Sequence, residues 1–149
     1  ALNRLDEPDI SIKIIIGPAN PHQETLHKAL SSIHFKMELL ANPANMPDLM
    51  AWADISVSAG GSTSWELAFM ELPSILMALS PDQQGIVDRL SQRGFALKID
   101  EHTTQGIANA LNALLFDHEL RITMSLQGRK LVDGNGACRV VKEIKNARS

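Results

Sequence analysis

The chain has 149 residues, of which 44% are hydrophobic and 21% charged, and its formal net charge is −3. This size suits one domain with a buried core, and the composition excludes a disordered chain. The longest apolar runs, residues 14–16 and 75–79, are far too short to cross a bilayer, and no signal-peptide pattern opens the chain. A single cysteine, Cys138, excludes a disulfide framework and a multi-cysteine zinc site, and it favours a cytoplasmic setting. We interpret Cys138 as a small apolar packing residue.

The charge is unevenly distributed. Residues 1–120 contain 7 Lys and Arg against 15 Asp and Glu, whereas residues 121–149 contain 7 against 2. A basic tail can indicate nucleic-acid binding, but these basic residues are spread out without interleaved aromatic residues, so we interpret them as a solvated helix face and expect no nucleic-acid partner. The chain also begins at Ala1 rather than Met and enters a strand pattern almost at once, from which we expect a trimmed chain.

The first half of the chain alternates short strands with helices. A β-branched run at residues 12–16 predicts a buried parallel strand, because such strands are apolar on both faces. Apolar residues at helical spacing then predict a helix from Pro21 through Ser32. The next predicted elements are a strand at 35–40, a loop at 42–47, a short helix carrying Met46, Leu49 and Met50, and a strand at 54–58.

The second half continues the same pattern. A helix is predicted from the glycine-rich segment after residue 59 through Glu71, followed by a strand at 74–79. Pro81 near the first turn and Gly94 at the C-cap predict the limits of the next helix. The remaining predicted elements are a strand at 95–99 and helices at 103–116, 117–131 and 137–147. This alternation predicts an α/β fold with a doubly wound, mostly parallel Rossmann-like sheet and helices on both faces.

Ligands of open parallel sheets bind at the carboxyl ends of the strands, and two loops there have a suitable composition. The 17–20 loop consists of Gly17, Pro18, Ala19 and Asn20, and the 60–63 loop of Gly60, Gly61, Ser62 and Thr63. Glycines allow close approach of a ligand, and free N–H groups at a helix start attract phosphate. A tight turn with Ser62 as a helix N-cap is the alternative interpretation of the 60–63 loop.

Glu66 lies one helical turn beyond Ser62, on the same side of the predicted helix. Its carboxylate could accept hydrogen bonds from two vicinal ribose hydroxyls. The pair Thr63 and Glu66 also fits a capping box, and the spacing alone does not separate the two interpretations. Gln83 and Gln84 open the next helix with side chains that suit sugar hydroxyls. The histidines form no metal-binding pair, so no metal site is expected.

Residues 53–73, ADISVSAGGSTSWELAFMELP, resemble the nucleotide-binding segment of the C-terminal domain of GT-B glycosyltransferases. The likeness is strongest to the branch with the pseudaminic-acid-pathway UDP-sugar hydrolase and the spore-coat polysaccharide proteins. The peptidoglycan N-acetylglucosaminyltransferase has a similar, more distant segment. Further short motifs follow in the family order over residues 12–141, namely GPANP at 17–21, NMPDLM at 45–50, DQQ at 82–84 and DGNGA at 133–137.

The resemblance implies that the ligand is UDP or a UDP-sugar and that no metal is bound. By position, it implies a diphosphate site at Gly60, Gly61, Ser62 and Thr63, a ribose site at Glu66 and a uracil site at Leu40 and Ala41. It likewise implies sugar contacts by Gln83 and Gln84, and an interdomain cleft lined by Gly17, Pro18, Ala19 and Asn20.

The resemblance also implies that this chain is the C-terminal half of a nucleotide-sugar hydrolase or glycosyltransferase that cleaves the anomeric bond with UDP as leaving group. The resemblance also implies an N-terminal α/β domain, which we expect to be absent from this chain. No catalytic residue is therefore expected here, and the chain alone is expected to be inactive. The alternative is a nucleotide-binding subunit of a split glycosyltransferase, which works with a separate partner chain.

Overall fold

Strands and helices alternate along the chain as the sequence predicts. The computed structural model describes residues 1–5, 9–30, 33 and 35–147. The strands are β1 (Ser11–Ile16), β2 (Lys36–Ala41), β3 (Ser56–Ala59), β4 (Ser74–Met77) and β5 (Ala96–Ile99). The helices are α1 (Gln23–Leu30), α2 (Met46–Trp52), α3 (Thr63–Phe69), α4 (Pro81–Gln92), α5 (Thr104–Phe116), α6 (His118–Leu131) and α7 (Gly136–Asn146), with a 3₁₀ turn at Leu2–Arg4. Over the described ranges, none of these helices has the length and apolarity needed to span a bilayer.

The starts of α5 and α6 each lie one residue later than predicted, because the preceding residue caps the helix from outside it. Thr103 and Asp117 were predicted inside helices, but their side chains accept hydrogen bonds from the N–H groups of Gly106 and Leu120 and cap α5 and α6. Gly94 follows α4 with a φ of 73°, which confirms its predicted role at the helix end. The predicted end of the first helix, Ser32, lies outside the described residues.

The strands are parallel, as predicted, but they form two sheets instead of one continuous sheet. β1 pairs with β2, and β4 lies between β3 and β5. Among the described residues, no strand ladder joins the two sheets. The alternation of strands and helices predicts that neighbouring strands pair in parallel. Whether the β1–β2 pair and the β3–β4–β5 sheet then join depends on how their edge strands meet in three dimensions.

The three-stranded sheet is covered on both faces, which confirms the doubly wound arrangement. Ile75 and Leu76 are neighbours in β4, and both are fully buried because successive side chains point to opposite faces. Leu76 belongs to a core cluster built with α2, α3 and α4. Ile75 belongs to a second cluster built with α5 and α6, which includes Leu114 and Met124.

A glycine allows α6 to pack closely against α3. Gly128 is buried, and a Cβ atom there would lie 2.7 Å from the carbonyl oxygen of Ala68 and 3.0 Å from the ring of Phe95. A side chain at this position would have to displace the Ala68 backbone and shift the Phe95 ring. The contact between the two helices therefore requires glycine at position 128.

Helix α2 connects the β1–β2 pair to the main core. Met50 of α2 is buried in the core cluster of the larger sheet. Trp52, at the end of the same helix, has its ring 4.3 Å from Lys13 Nζ of β1, within the range of a cation–π interaction. Lys13 also faces Glu38 of β2 at 3.9 Å. The Lys13–Trp52 contact thus links the smaller sheet to α2.

Helix α7 is held at its start by a polar loop. The pKa of Asp133 is lowered to about 2, first by the hydrogen bond from Arg139 and then by that from the Asn135 N–H. Gly134 adopts a φ of 73°, and a Cβ atom there would lie 2.9 Å from the Phe69 ring. No residue of α7 is buried in the described chain. Cys138 is exposed, so its interpretation as a packing residue is wrong.

We expect Gly128→Ala to lower the free energy of unfolding by about 1 to 3 kcal/mol, because the added methyl group overpacks the α3–α6 contact. Gly85→Ala is the matched control, since nothing lies within 4 Å of a Cβ atom at that position in α4. Alanine there should be neutral or stabilising by up to about 1 kcal/mol, because it favours helix more than glycine does. Urea unfolding measures both changes, and equal stability of the two variants would contradict the packing argument.

Candidate functional site

The loops that follow β3, β4 and β5 leave the larger sheet at one edge. The parallel register aligns Ala59 with Met77 and Met77 with Ile99, so the three strands end side by side. The 60–63 loop follows Ala59 directly, and α4 begins four residues after Met77. The fold therefore places the 60–63 loop and the start of α4 at the carboxyl ends of neighbouring strands, where ligands of such sheets bind.

Gly60 joins the 60–63 loop to α4. The residue is buried, and a Cβ atom there would lie 2.2 Å from Val87 Cγ2 and 3.3 Å from the carbonyl oxygen of Gln83. The Gly60 N–H donates to the carbonyl oxygen of Met77 at 2.8 Å, which ties the loop to the end of β4. Glycine at this position thus brings the loop and the Gln83 turn into direct contact.

Two of the four backbone N–H groups of the 60–63 loop are hydrogen-bonded to backbone carbonyl oxygens. Those of Gly60 and Gly61 donate to the carbonyl oxygens of Met77 and Ala59. Those of Ser62 and Thr63 have no backbone acceptor among the described residues. Of the four residues predicted to bind diphosphate, Ser62 and Thr63 therefore supply the available amides, and the glycines supply the close turn.

Ser62 is the N-cap of α3, but its side chain makes no capping hydrogen bond. The neighbouring Ser64 is buried, and its hydroxyl donates to the carbonyl oxygen of Ala59 at 3.3 Å. Ser64 thus stabilises the turn, whereas the Ser62 side chain is exposed.

Glu66 does not form the capping box that its spacing allowed. Because α3 begins at Thr63 with Ser62 as its N-cap, Glu66 is the fourth helical residue, one position beyond the third residue that a capping box uses. The Glu66 side chain is exposed near the 60–63 loop, in the first turn of α3. Its carboxylate is therefore available to a ligand.

Gln83 and Gln84 lie in the first turns of α4, and each side chain makes one hydrogen bond to the part of the chain that the structure describes. Gln83 Oε1 accepts from the Leu79 N–H at 3.0 Å and thereby stabilises the helix start. Gln84 Nε2 donates to Asp88 Oδ1 at 2.9 Å, one turn along the helix. Gln84 is exposed, and Gln83 is half-buried beside Gly60.

Asp88 belongs to a charged network that the sequence analysis missed. Lys98 Nζ of β5 contacts Asp88 Oδ1 at 2.8 Å and Asp100 Oδ1 at 2.6 Å. The hydrogen bond from Lys98, followed by that from Gln84, lowers the pKa of Asp88, and the two carboxylates raise the pKa of Lys98. The spacing of Gln84 and Asp88 at i and i+4 was a usable signal, but the partner on β5 was not visible from local sequence.

The 17–20 loop and the end of β2 form a second group, beside the smaller sheet. All four residues of the loop are exposed. Asn20 shapes the local turn, because its Oδ1 accepts from the His22 N–H at 2.8 Å and its N–H donates to the Gly17 carbonyl oxygen at 3.2 Å. The predicted cleft surface of this loop is therefore a solvent-facing turn before α1.

The backbone N–H and C=O of Ala41 point away from β1, towards the side of β2 that is unpaired within the described residues, whereas those of Leu40 point towards β1. The Asn42 N–H donates to the Ile16 carbonyl oxygen across the pair, and alternate residues of a strand direct their peptide groups to opposite sides. Ala41 lies between Leu40 and Asn42, so its N–H and C=O point away from β1. These are the groups that could meet a planar base.

The structure brings together part of the predicted set. The 60–63 loop, Glu66 and the two glutamines share the carboxyl edge of the larger sheet, whereas the 17–20 loop and the Leu40–Ala41 segment share the smaller one. Over the described part of the chain, no hydrogen bond or ion pair joins the two groups.

Two surface cavities, of about 320 and 440 Å³, lie elsewhere and are lined by none of the predicted residues. Ser62, Glu66 and Gln84 of the candidate site are exposed. No cluster of three potential metal ligands occurs among the described residues.

These features define a Rossmann-like α/β domain with candidate ligand loops at the carboxyl ends of its parallel strands. The family model of the glycosyltransferase family 28 C-terminal domain matches residues 1–135. Since this match covers most of the 149 residues, the chain belongs to that family. The prediction of a GT-B C-terminal domain is confirmed.

Two curated relatives show sequence similarity. The spore coat polysaccharide biosynthesis protein SpsG of Bacillus subtilis is 24% identical over 138 residues, which are 91% of this chain and 40% of the relative. The UDP-N-acetylglucosamine–N-acetylmuramyl-(pentapeptide) pyrophosphoryl-undecaprenol N-acetylglucosamine transferase of Sulfurimonas denitrificans is 39% identical over 67 residues, 44% of this chain and 20% of that protein. The chain thus spans less than half the length of the relatives it matches.

Solved structures of glycosyltransferases share the fold. MurG of Acinetobacter baumannii matches with a TM-score of 0.78 at 18% identity, over 97% of this chain and 43% of that one. The spinosyn forosaminyltransferase SpnP matches with a TM-score of 0.66 at 14% identity, over 95% of this chain and 44% of that one. At these identities, the likeness establishes the architecture alone.

We expect Gly60→Ala to destabilise the chain by about 1 to 3 kcal/mol, because the methyl group collides with Val87 and the Gln83 backbone. Gly61→Ala is the control from the same loop, since nothing lies within 4 Å of a Cβ atom there, and it should change stability by less than about 0.5 kcal/mol. Thermal and denaturant unfolding distinguish the two. A Gly60→Ala variant as stable as the parent chain would disprove the close contact.

Proposed function

We propose that this chain is the UDP-sugar-binding C-terminal half of a nucleotide-sugar glycosyltransferase or hydrolase. The observation that carries this proposal is the contact of Gly60 with Val87 and Gln83, which places the 60–63 loop beside the first turn of α4. Membership in a family of glycosyltransferase C-terminal domains supports it. One open surface then carries available amides, a carboxylate and two amide side chains.

The diphosphate is bound by the 60–63 loop in this proposal. The N–H groups of Ser62 and Thr63 and their hydroxyls donate to phosphate oxygens, and Gly60 and Gly61 allow the close approach. The start of α3 adds the positive end of its dipole. As the anomeric bond breaks, negative charge grows on the leaving UDP, and the same donors stabilise that charge.

The nucleoside is bound by groups at either end of the surface. Glu66 accepts hydrogen bonds from the vicinal ribose hydroxyls. Hydroxyls can donate to a carboxylate, whereas the neighbouring phosphates are negatively charged acceptors. The free peptide groups of Ala41, next to Leu40, meet the edge of uracil. Gln83 and Gln84 contact the sugar, and residues 17–20 line the cleft opposite. The reaction needs no resident metal ion and proceeds in the cytoplasm.

A second half supplies the other wall of the site and the catalytic groups. Helix α7 supports this, because Ala137, Val140, Val141 and Ile144 recur at helical spacing on one face and no residue of α7 is buried. Val140, Val141 and Ile144 are each more than 50% exposed. A covalently attached domain or a separate chain can fill this role, and the second arrangement makes this chain a nucleotide-binding subunit without activity of its own.

Calorimetric titration of the chain with UDP tests the nucleotide site. We expect saturable binding, and Glu66→Ala should weaken it by roughly tenfold or more, because a hydrogen bond to a charged group contributes about 1.5 to 3 kcal/mol. Glu119→Ala is the matched control, since Glu119 is an exposed carboxylate in the first turn of α6, away from the 60–63 loop. It should leave UDP affinity unchanged.

The results separate two parts of the proposal. An absence of heat with UDP would contradict the nucleotide-binding function itself. Binding that is equally strong in the parent chain and in Glu66→Ala would remove Glu66 from the ribose site and leave the diphosphate loop in place.

The double variant Val140→Asp/Ile144→Asp tests the surface of α7. In this chain alone we expect a change in unfolding free energy within about 0.5 kcal/mol, because both side chains are already exposed. In a protein that includes the second half, turnover of UDP-sugar or the melting temperature should fall, because charge is placed in an apolar contact. Unchanged turnover and melting temperature there would exclude α7 from the contact.

A further inference from the structure

We propose that Asp88 and Lys98 are positioning residues that fix the Gln84 amide with its carbonyl oxygen towards the sugar. Gln84 then accepts a hydrogen bond from one sugar hydroxyl, whereas Gln83 donates one to another. This inference rests on the proposed UDP-sugar site and deepens it, because it specifies which hydrogen-bonding group each glutamine presents.

The orientation of Gln84 follows from its partner. Gln84 Nε2 lies 2.9 Å from Asp88 Oδ1. An ionised carboxylate only accepts hydrogen bonds, so the amide must turn its NH₂ group to Asp88 and its Oε1 away from it. No other hydrogen bond to the Gln84 side chain occurs within the described chain, which leaves Oε1 to a ligand.

Lys98 holds Asp88 in this role from the neighbouring strand. Its Nζ lies 2.8 Å from the same Oδ1 atom that accepts from Gln84. A cation at this distance keeps the carboxylate ionised and draws it towards β5, and it lowers the pKa of Asp88 accordingly. Asp100, 2.6 Å from Lys98, limits the positions open to the ammonium group. The chain of contacts runs from β5 through α4 to the exposed amide.

Gln83 has the opposite arrangement. Its Oε1 accepts from the Leu79 N–H, so its Nε2 is the group left for a ligand. Two adjacent residues therefore present a donor and an acceptor at the start of α4. A sugar with two neighbouring hydroxyls fits this pair, because one hydroxyl can accept from Gln83 Nε2 and the other can donate to Gln84 Oε1. A sugar that lacks the second hydroxyl leaves Gln84 Oε1 without a hydrogen-bond partner.

The first test observes Gln84 without any ligand. In NMR spectra of the chain, we expect the two Nε2 protons of Gln84 to be further apart in chemical shift than those of the exposed Gln92, since one of them is hydrogen-bonded. Lys98→Met should narrow this separation, and Lys98→Arg should restore it, because arginine can still donate to Asp88. A Gln84 signal that resembles Gln92 in the parent chain would overturn the proposal.

The second test measures affinity for UDP and for UDP-N-acetylglucosamine by titration calorimetry. We expect Asp88→Ala and Lys98→Met to weaken binding of the sugar nucleotide by about threefold to tenfold, the effect of one hydrogen bond, with UDP affinity unchanged. Lys98→Arg should regain most of the loss. Lys130→Met, which removes an exposed lysine from α6, should change neither affinity.

A double-mutant cycle decides whether Asp88 acts through Gln84. In the Gln84→Ala background, Asp88→Ala should cause no further loss of sugar-nucleotide affinity. Equal losses for UDP and the sugar nucleotide, or additive losses in the cycle, would refute the positioning role while UDP still binds. An absence of UDP binding by the parent chain would instead refute the proposed function and this inference together.

Discussion

The close approach of Gly60 to helix α4 is the constraint on which the candidate site depends. A side chain at this position would occupy the space of Val87 Cγ2, so the 60–63 loop can reach the Gln83 turn only through a glycine. The Gly60 N–H simultaneously extends the hydrogen bonding between the ends of β3 and β4. One residue thus fixes the position of the loop relative to both a strand and a helix, and these elements also place Glu66 and the two glutamines.

Some hydrogen-bonding groups of the site stabilise the fold, and others remain available to a ligand. Gly60, Gly61 and Ser64 use their donors to build the turn, whereas Ser62 and Thr63 keep theirs available. The two glutamines show the same difference, because one end of each side-chain amide is hydrogen-bonded to the described part of the protein and the other end is not. Gln83 is bonded to a backbone N–H and Gln84 to a carboxylate of an ion pair, so one end of each amide has a partner in the protein before any ligand binds.

Exposed apolar side chains include Val140, Val141 and Ile144 of α7. The β1–β2 pair contacts α2 through Lys13 and Trp52. Ser62, Glu66 and Gln84 are exposed at the carboxyl ends of the larger sheet. This architecture spans less than half the length of SpsG and of MurG.

The sequence by itself determined the order and type of the elements, because buried strands, helix caps and glycine turns are local patterns. The cap at Gly94 and the 60–63 turn are examples, and the resemblance of residues 53–73 identified the family. Tertiary structure decided what local patterns do not contain. It divided the sheet in two, excluded the capping box of Glu66 by starting α3 at Thr63, and exposed Cys138. It also joined Lys98 to Asp88, since contacts between residues on different elements depend on how those elements pack.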